Sequence, residues 1–171
     1  MLVGAICMSH SPLLERRATQ ETEKAFEEAL DRVRDKIAVL KPDLVVVIYP
    51  DHVNGFFYKL LPSFCVGVEG SSIGDYGSSA GKLALPVQAA EELGAHIVNS
   101  GVDTAISYKM DVDHGAVQPL ELLFTRYEMP AFIPVFVNSP KFDSKLGKFA
   151  IFNFLMPYFS MSYCPRVSRS G

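Results

Sequence analysis

Positive charge is scarce in this chain. Sixteen Lys and Arg against nineteen Asp and Glu leave a formal net charge of -3, so no basic footprint is offered to nucleic acid or to an anionic membrane surface. Cysteine is scarce as well. Cys7, Cys65 and Cys164 are an odd set without CxxC spacing, which argues against a disulfide framework and against a thiolate metal site. Cys7 and Cys65 each stand in an apolar run and read as core packing. No basic residues precede the first apolar stretch, and His10 and Pro12 break it, so it does not read as a secretory signal; a cytoplasmic protein is expected. The apolar stretch from Phe149 to Met156 is too short to span a bilayer, and Pro157 interrupts it, so no membrane partner is expected. Neither GxxxxGK(S/T) nor GxGxxG occurs, so the Gly- and Ser-rich segment from Gly67 to Gly81 reads as a long surface loop or lid instead of a phosphate cradle.

What is present suits one globular domain of 171 residues with 49% apolar and 20% charged residues. Leu2 to Met8 has the length and apolarity of a strand and ends at the polar Ser9-His10-Ser11-Pro12. From Thr19 to Leu40, apolar Ala25, Ala29, Val33, Ile37 and Leu40 recur every three to four residues, which predicts a surface helix. Leu44 to Tyr49 is a β-branched run of the kind covered on both faces in a parallel sheet. Pro86 to Ser100 predicts a second helix, with Gly101 placed where a helix end favours a left-handed residue. Thr104 to Tyr108 and Ala131 to Val137 are further strand candidates. Strands alternating with helices imply an α/β fold with a mainly parallel sheet flanked by helices. Beyond Pro140 an aromatic-rich segment without a clear period follows, so the chain divides into a domain-like part, 1–139, and a tail, 140–171.

Ligands of open parallel sheets bind beyond the carboxyl ends of the strands. His10 and His52 follow the first two strand runs, and His114 lies in a loop, Asp111 to Gly115, after the strand candidate at Thr104 to Tyr108. His96 stands inside a helix pattern and reads as structural. Neutral imidazoles on neighbouring strand ends could share an ion, although HExxH is missing and solvated loop histidines are the plainer alternative.

The local words carry more. Ser9-His10-Ser11-Pro12, the run Pro50 to Tyr58 (PDHVNGFFY), Ile73-Gly74-Asp75-Tyr76-Gly77, and Val112-Asp113-His114-Gly115 with Gln118-Pro119-Leu120-Glu121 stand in an informative order and spacing. In these words, over roughly residues 1–138, the chain resembles the N-terminal half of the class III extradiol ring-cleaving dioxygenases, within them the type acting on 2,3-dihydroxyphenylpropionate and 2,3-dihydroxycinnamate. The resemblance implies meta cleavage of a catechol by dioxygen at an iron(II) held by two histidines and one carboxylate. His10 and His52 then correspond to the histidine ligands and His114 to the acid/base histidine. Asp113 would orient or tune His114, with a turn-forming carboxylate as the alternative. Asp51 would back a metal-bound imidazole or cap its loop. Asn54 and Tyr58 belong to the same word without a role that follows from it.

The resemblance also implies a later half that supplies a glutamate ligand and a second active-site histidine. No histidine follows His114 here and the last glutamate is Glu128, so a shortened chain is expected. Three readings stay open: a homo-oligomeric dioxygenase whose short chain is inactive alone, a noncatalytic subunit completed by a full-length partner, and a metal-dependent hydrolase on the same scaffold. Oxygen consumption separates the first from the third.

Overall fold

The computed structural model describes residues 2–8, 20–50, 52, 54–56 and 60–138. His10, Asp51, Tyr58 and residues 140–171, on which sequence expectations fall, lie outside them.

Helix α1 (Gln20–Leu40) leads into strand β1 (Leu44–Pro50). Strands β2 (Phe64–Gly67), β3 (Gly70–Ile73) and β4 (Ala80–Lys82) follow, then helix α2 (Val87–Asn99). The short strands β5 (Ala105–Ser107) and β6 (Met110–Val112), helix α3 (His114–Leu123) and strand β7 (Ala131–Val137) complete the described chain. One sheet has the order β1-β7-β2-β5 and the other the order β4-β3-β6. The fold is α/β as expected, and its pairing is mixed: β1 with β7, β2 with β5 and β3 with β6 are parallel, whereas β2 with β7 and β3 with β4 are antiparallel.

Four expectations change. Leu2 to Met8 is not a strand: no strand pairs with it among the described residues, and Leu2, Val3 and Ile6 are exposed beside the end of α1. Cys7 is exposed with it, so only Cys65 packs in the core. The strand covered on both faces is β7, with Phe132, Ile133, Val135 and Phe136 buried, whereas β1 is a sheet edge with Leu44 and Val46 exposed. A run of β-branched residues reports strand propensity, and its place in the sheet is a long-range property that the run does not encode. Finally, the segment from Gly67 to Gly81 is no lid but the body of the second sheet, β3 and β4.

Close packing explains Gly67. A Cβ there would lie 2.6 Å from the Met110 sulfur and 2.8 Å from Pro134 Cγ, so only glycine lets β2 pass between β6 and β7. Gly101, with φ +84°, turns the chain out of α2 as anticipated, and the Ser100 N–H closes the helix on His96 and Ile97 carbonyls. No helix among the described residues is long and apolar enough to cross a membrane.

Helix α1 fixes α3. Leu30 and Ile37 pack with Leu120, Leu123 and Phe124 of the α3 region and with Phe132 of β7. Within this contact Arg34, only 6% exposed, donates from Nε and Nη2 to the Leu122 carbonyl at 3.0 and 2.8 Å, while Nη1 meets Asp31 at 2.8 Å and Glu27 at 3.3 Å. A cation on the last carbonyls of a helix satisfies orphan acceptors and complements the dipole. Arg34→Met, which retains much of the apolar stem, is expected to lower stability by about 2 kcal/mol, the range for hydrogen bonds to a charged group. A urea melt showing no loss would remove Arg34 from the forces that seat α3.

Candidate active site

Three polar turns meet at the carboxyl ends of β1, β3 and β6. His52 lies two residues beyond β1, Asp75 two beyond β3, and Asp113-His114 directly beyond β6. The parallel register of β3 on β6 sets Ser72 opposite Val112, which carries Asp75 to the level of His114. The sequence places His114 in a loop; it is instead the first residue of α3, because Asp113 caps that helix. With φ -92° and ψ 179°, Asp113 stands outside the helix, and its Oδ1 accepts the Gly115 N–H at 2.9 Å.

The other oxygen of Asp113 serves His52. Oδ2 accepts the His52 N–H at 2.9 Å, contacts His52 Nδ1 at 2.8 Å, and accepts from Asn54 Nδ2 at 3.3 Å. Burial, with Asp113 at 0% exposure, pushes its carboxyl up, but the donors from His52, Asn54 and Gly115 outweigh it and hold the group below the ordinary value of 3.8. Asp113 is therefore the acceptor in its contact with His52 Nδ1, and the His52 lone pair falls on Nε2. Because the folded-state value is depressed, the stabilisation from ionised Asp113 is complete above the unfolded value near 3.8 and is lost as pH falls through the lower folded value. The stability difference between the parent and Asp113→Asn is expected to stay constant from neutrality down to the unfolded value near 3.8 and to narrow below it; a difference that persists undiminished in acid would contradict it.

His114 has its own carboxylate. Asp75 Oδ1 accepts the His114 N–H at 2.7 Å and Asp75 Oδ2 contacts His114 Nδ1 at 2.6 Å. Asp75 sits in a tight connection of left-handed residues, Gly74, Tyr76 and Gly77, and its carbonyl accepts from the N–H and hydroxyl of Ser78. Gly74 is required there, since a Cβ would lie 2.5 Å from that of Ala80. The His114 ring is 0% exposed, stacked on His52 at 4.5 Å between centroids and tilted against Tyr76 at 4.5 Å.

His52, exposed to 40%, and buried Asp113 and His114 form a group whose donor atoms lie within 4.8 Å of one another and could hold a metal ion. The hydrogen bonds divide the roles. Asp113 already receives four N–H donors, two of them from His52, so it suits the carboxylate that backs a metal-bound imidazole through Nδ1. His52 with its lone pair on Nε2 fits a metal ligand. Burial pushes the Cys65 thiol up to about 12, which keeps it protonated and out of such a role.

Of the expected site residues, His52, Asp113 and His114 are brought together; His10 lies outside the described residues. Asp113 reaches His52, and the carboxylate on its neighbour His114 is Asp75, to which the sequence reading gave no role. The signal for Asp75 was its place in the Ile73 to Gly77 word. His96 is exposed at the end of α2, away from this cluster.

Residues 4–147 match the family described as the catalytic LigB subunit of aromatic ring-opening dioxygenase. The chain is similar to proteins named 2,3-dihydroxyphenylpropionate/2,3-dihydroxicinnamic acid 1,2-dioxygenase. It is 48% identical to that of Mycobacterium sp. (strain MCS) over 138 residues, 80% of this chain and 44% of the relative. For Rhodococcus globerulus the identity is 47% over 140 residues, 81% and 45% of the two chains. For Escherichia coli O139:H28 (strain E24377A / ETEC) it is 45% over 133 residues, 77% and 42%. The chain thus spans less than half the length of the curated relatives it matches.

Proposed function

Since the chain belongs to the family of catalytic LigB subunits of aromatic ring-opening dioxygenases, we propose that it contributes the histidine half of an iron(II) centre for extradiol cleavage of a catechol by dioxygen. The substrate of this reading is 3-(2,3-dihydroxyphenyl)propionate, the compound in the names of its relatives. His10 and His52 hold the metal, and the third ligand, a carboxylate, comes from outside the matched stretch. Bound iron(II) would supply a template with open positions and the one-electron chemistry that dioxygen requires. Homo-oligomeric assembly in the cytoplasm, with 1–139 as the domain and 140–171 as a separate tail, belongs to the same reading.

The observation that carries the proposal is a pair of aspartate-backed imidazoles, His52 on Asp113 and His114 on Asp75, stacked 4.5 Å apart at one end of the strands. Asp113 keeps the His52 proton on Nδ1, which leaves Nε2 for the metal. His114 takes a proton from a substrate hydroxyl and returns it as the ring opens, a role worth about 10²- to 10⁴-fold. Its burial between Tyr76 and His52 excludes bulk water from the exchange.

Because the carboxylate ligand comes from elsewhere, the chain alone is expected to bind iron(II) in a way that His52→Ala abolishes and to take up little oxygen on adding the catechol. Uptake matched by the yellow ring-opened product and reduced about 10²-fold or more by His114→Ala would overturn the missing-ligand account. Absence of uptake from folded, iron-loaded protein would sink unaided catalysis. It would favour the second reading, a noncatalytic subunit completed by a full-length partner.

A further inference from the structure

An imidazole that carries a proton between substrate atoms, as His114 would, needs its ring held in one plane and one tautomer. Its neighbour in sequence, Asp113, is turned away, with both oxygens committed to His52, Asn54 and Gly115. The group on His114 comes instead from a different sheet connection, 39 residues earlier in the chain. Asp75 meets His114 twice, through the backbone N–H at 2.7 Å and the ring Nδ1 at 2.6 Å, so one planar carboxylate fixes both the start of α3 and the plane of the imidazole. Asn54 adds a link between the two halves, its Nδ2 lying 3.4 Å from Asp75 Oδ2 and 3.3 Å from Asp113 Oδ2.

We infer that Asp75 is the positioning residue for His114, holding its proton on Nδ1 and its lone pair on Nε2, so that His114 and His52 present the same tautomer from two separate carboxylates. The inference rests on the acid/base reading for its functional meaning, but the tautomer itself is a property of this chain alone. The backbone N–H of His114 cannot reverse its polarity, so whatever occupies Oδ1 must accept. That constraint fixes how an isosteric amide would sit. In Asp75→Asn the amide oxygen stays on the backbone N–H and the NH₂ faces Nδ1, where a donor cannot oppose a donor. The mobile group is the imidazole proton, which moves to Nε2. His114 would then carry a proton where the reaction needs a lone pair.

The test reads the ring nitrogens directly. The ¹⁵N-labelled, metal-free chain is examined by long-range ¹H–¹⁵N correlation at a pH about two units above the ordinary histidine value, where imidazoles are neutral. His114 is assigned by its loss in His114→Gln. The parent is expected to show the Nδ1–H form of His114, and Asp75→Asn the Nε2–H form, with exposed His96 unchanged as a marker that the fold persists. An Nε2–H form in the parent overturns the inference, whether or not the variant folds, and so does an unchanged tautomer in folded Asp75→Asn. In a completed site that takes up oxygen, the variant is expected to lower kcat about 10- to 100-fold with little change in KM, since substrate contacts are untouched. A chain with the expected tautomers that consumes no oxygen keeps the inference and loses only unaided catalysis. Oxygen uptake with His114 in the Nε2–H form does the opposite.

Discussion

Gly115→Ala is expected to lower stability by about 3 kcal/mol and to weaken iron(II) binding at the same time. Helix propensity alone points the other way, since alanine in a helix is better than glycine by about 1 kcal/mol. Space decides the sign. A Cβ on Gly115 would lie 2.9 Å from the Pro50 carbonyl oxygen, 2.9 Å from Asp113 Oδ1 and 3.3 Å from His52 Cε1. Two of these neighbours cannot yield cheaply: the first is backbone at the end of β1, and the second is the carboxylate that caps α3. The first turn of α3 must therefore lift from β1, and lifting it separates Asp113 from His52, whose hydrogen bond of 2.8 Å directs the imidazole. Urea denaturation followed by far-UV circular dichroism gives the first effect, and iron(II) retained after desalting gives the second. A variant as stable as its parent, or more so, would mean that α3 does not press on β1 as described.

That contact also marks where sequence reading stops. α1, β1, α2 and β7 were legible because each has a period or a run long enough to bias the local chain: Val33 and Ile37 on one helical face, LVVVIY and AFIPVFV as strands, Gly101 as a stop. β3, β4 and β6 have three or four residues each, with Gly70, Ser71, Ser72 and Gly81 among them. Such segments become strands only because partners hold them, so the second sheet was invisible. α3 was hidden for a different reason. His114, Ala116, Val117, Gln118, Leu120 and Leu123 are all buried, so no polar face alternates with an apolar one, and Pro119 inside it speaks against a helix. The start of α3 did carry a signal in Asp113, a residue type that caps helices. In the site, strand-end placement points to His52 and His114, which the fold brings together. Their aspartates were another matter: Asp113 is adjacent to one histidine yet serves the other, and the pairing of Asp75 with His114 depends on the β3–β6 register.

Asp113→Ala should have the largest effect of any single substitution at this site, about 3 to 5 kcal/mol in stability. The residue is fully buried, so water does not replace it readily, and truncation leaves the N–H groups of His52 and Gly115 without the acceptor they now have. The lost helix cap accounts for about 1 kcal/mol and each charged hydrogen bond for about 1.5 to 3 kcal/mol, before any relaxation. Asp113→Asn separates shape from charge. It keeps the volume and one acceptor, but the other position becomes an amide donor facing Gly115 N–H or the two His52 donors, so a penalty of about 2 kcal/mol remains. Iron(II) affinity distinguishes the two roles open to Asp113. As the backing carboxylate of His52, its replacement by Asn is expected to weaken binding about 10- to 100-fold, because His52 stays in place but loses its preferred tautomer. If Asp113 were itself a ligand, binding would fall far beyond that range even where the variant remains folded. Titration of the folded Asp113→Asn chain with iron(II) under anaerobic conditions, alongside His52→Ala, therefore assigns the carboxylate: a partial loss smaller than that of His52→Ala places it behind the imidazole, and an equal loss places it on the metal.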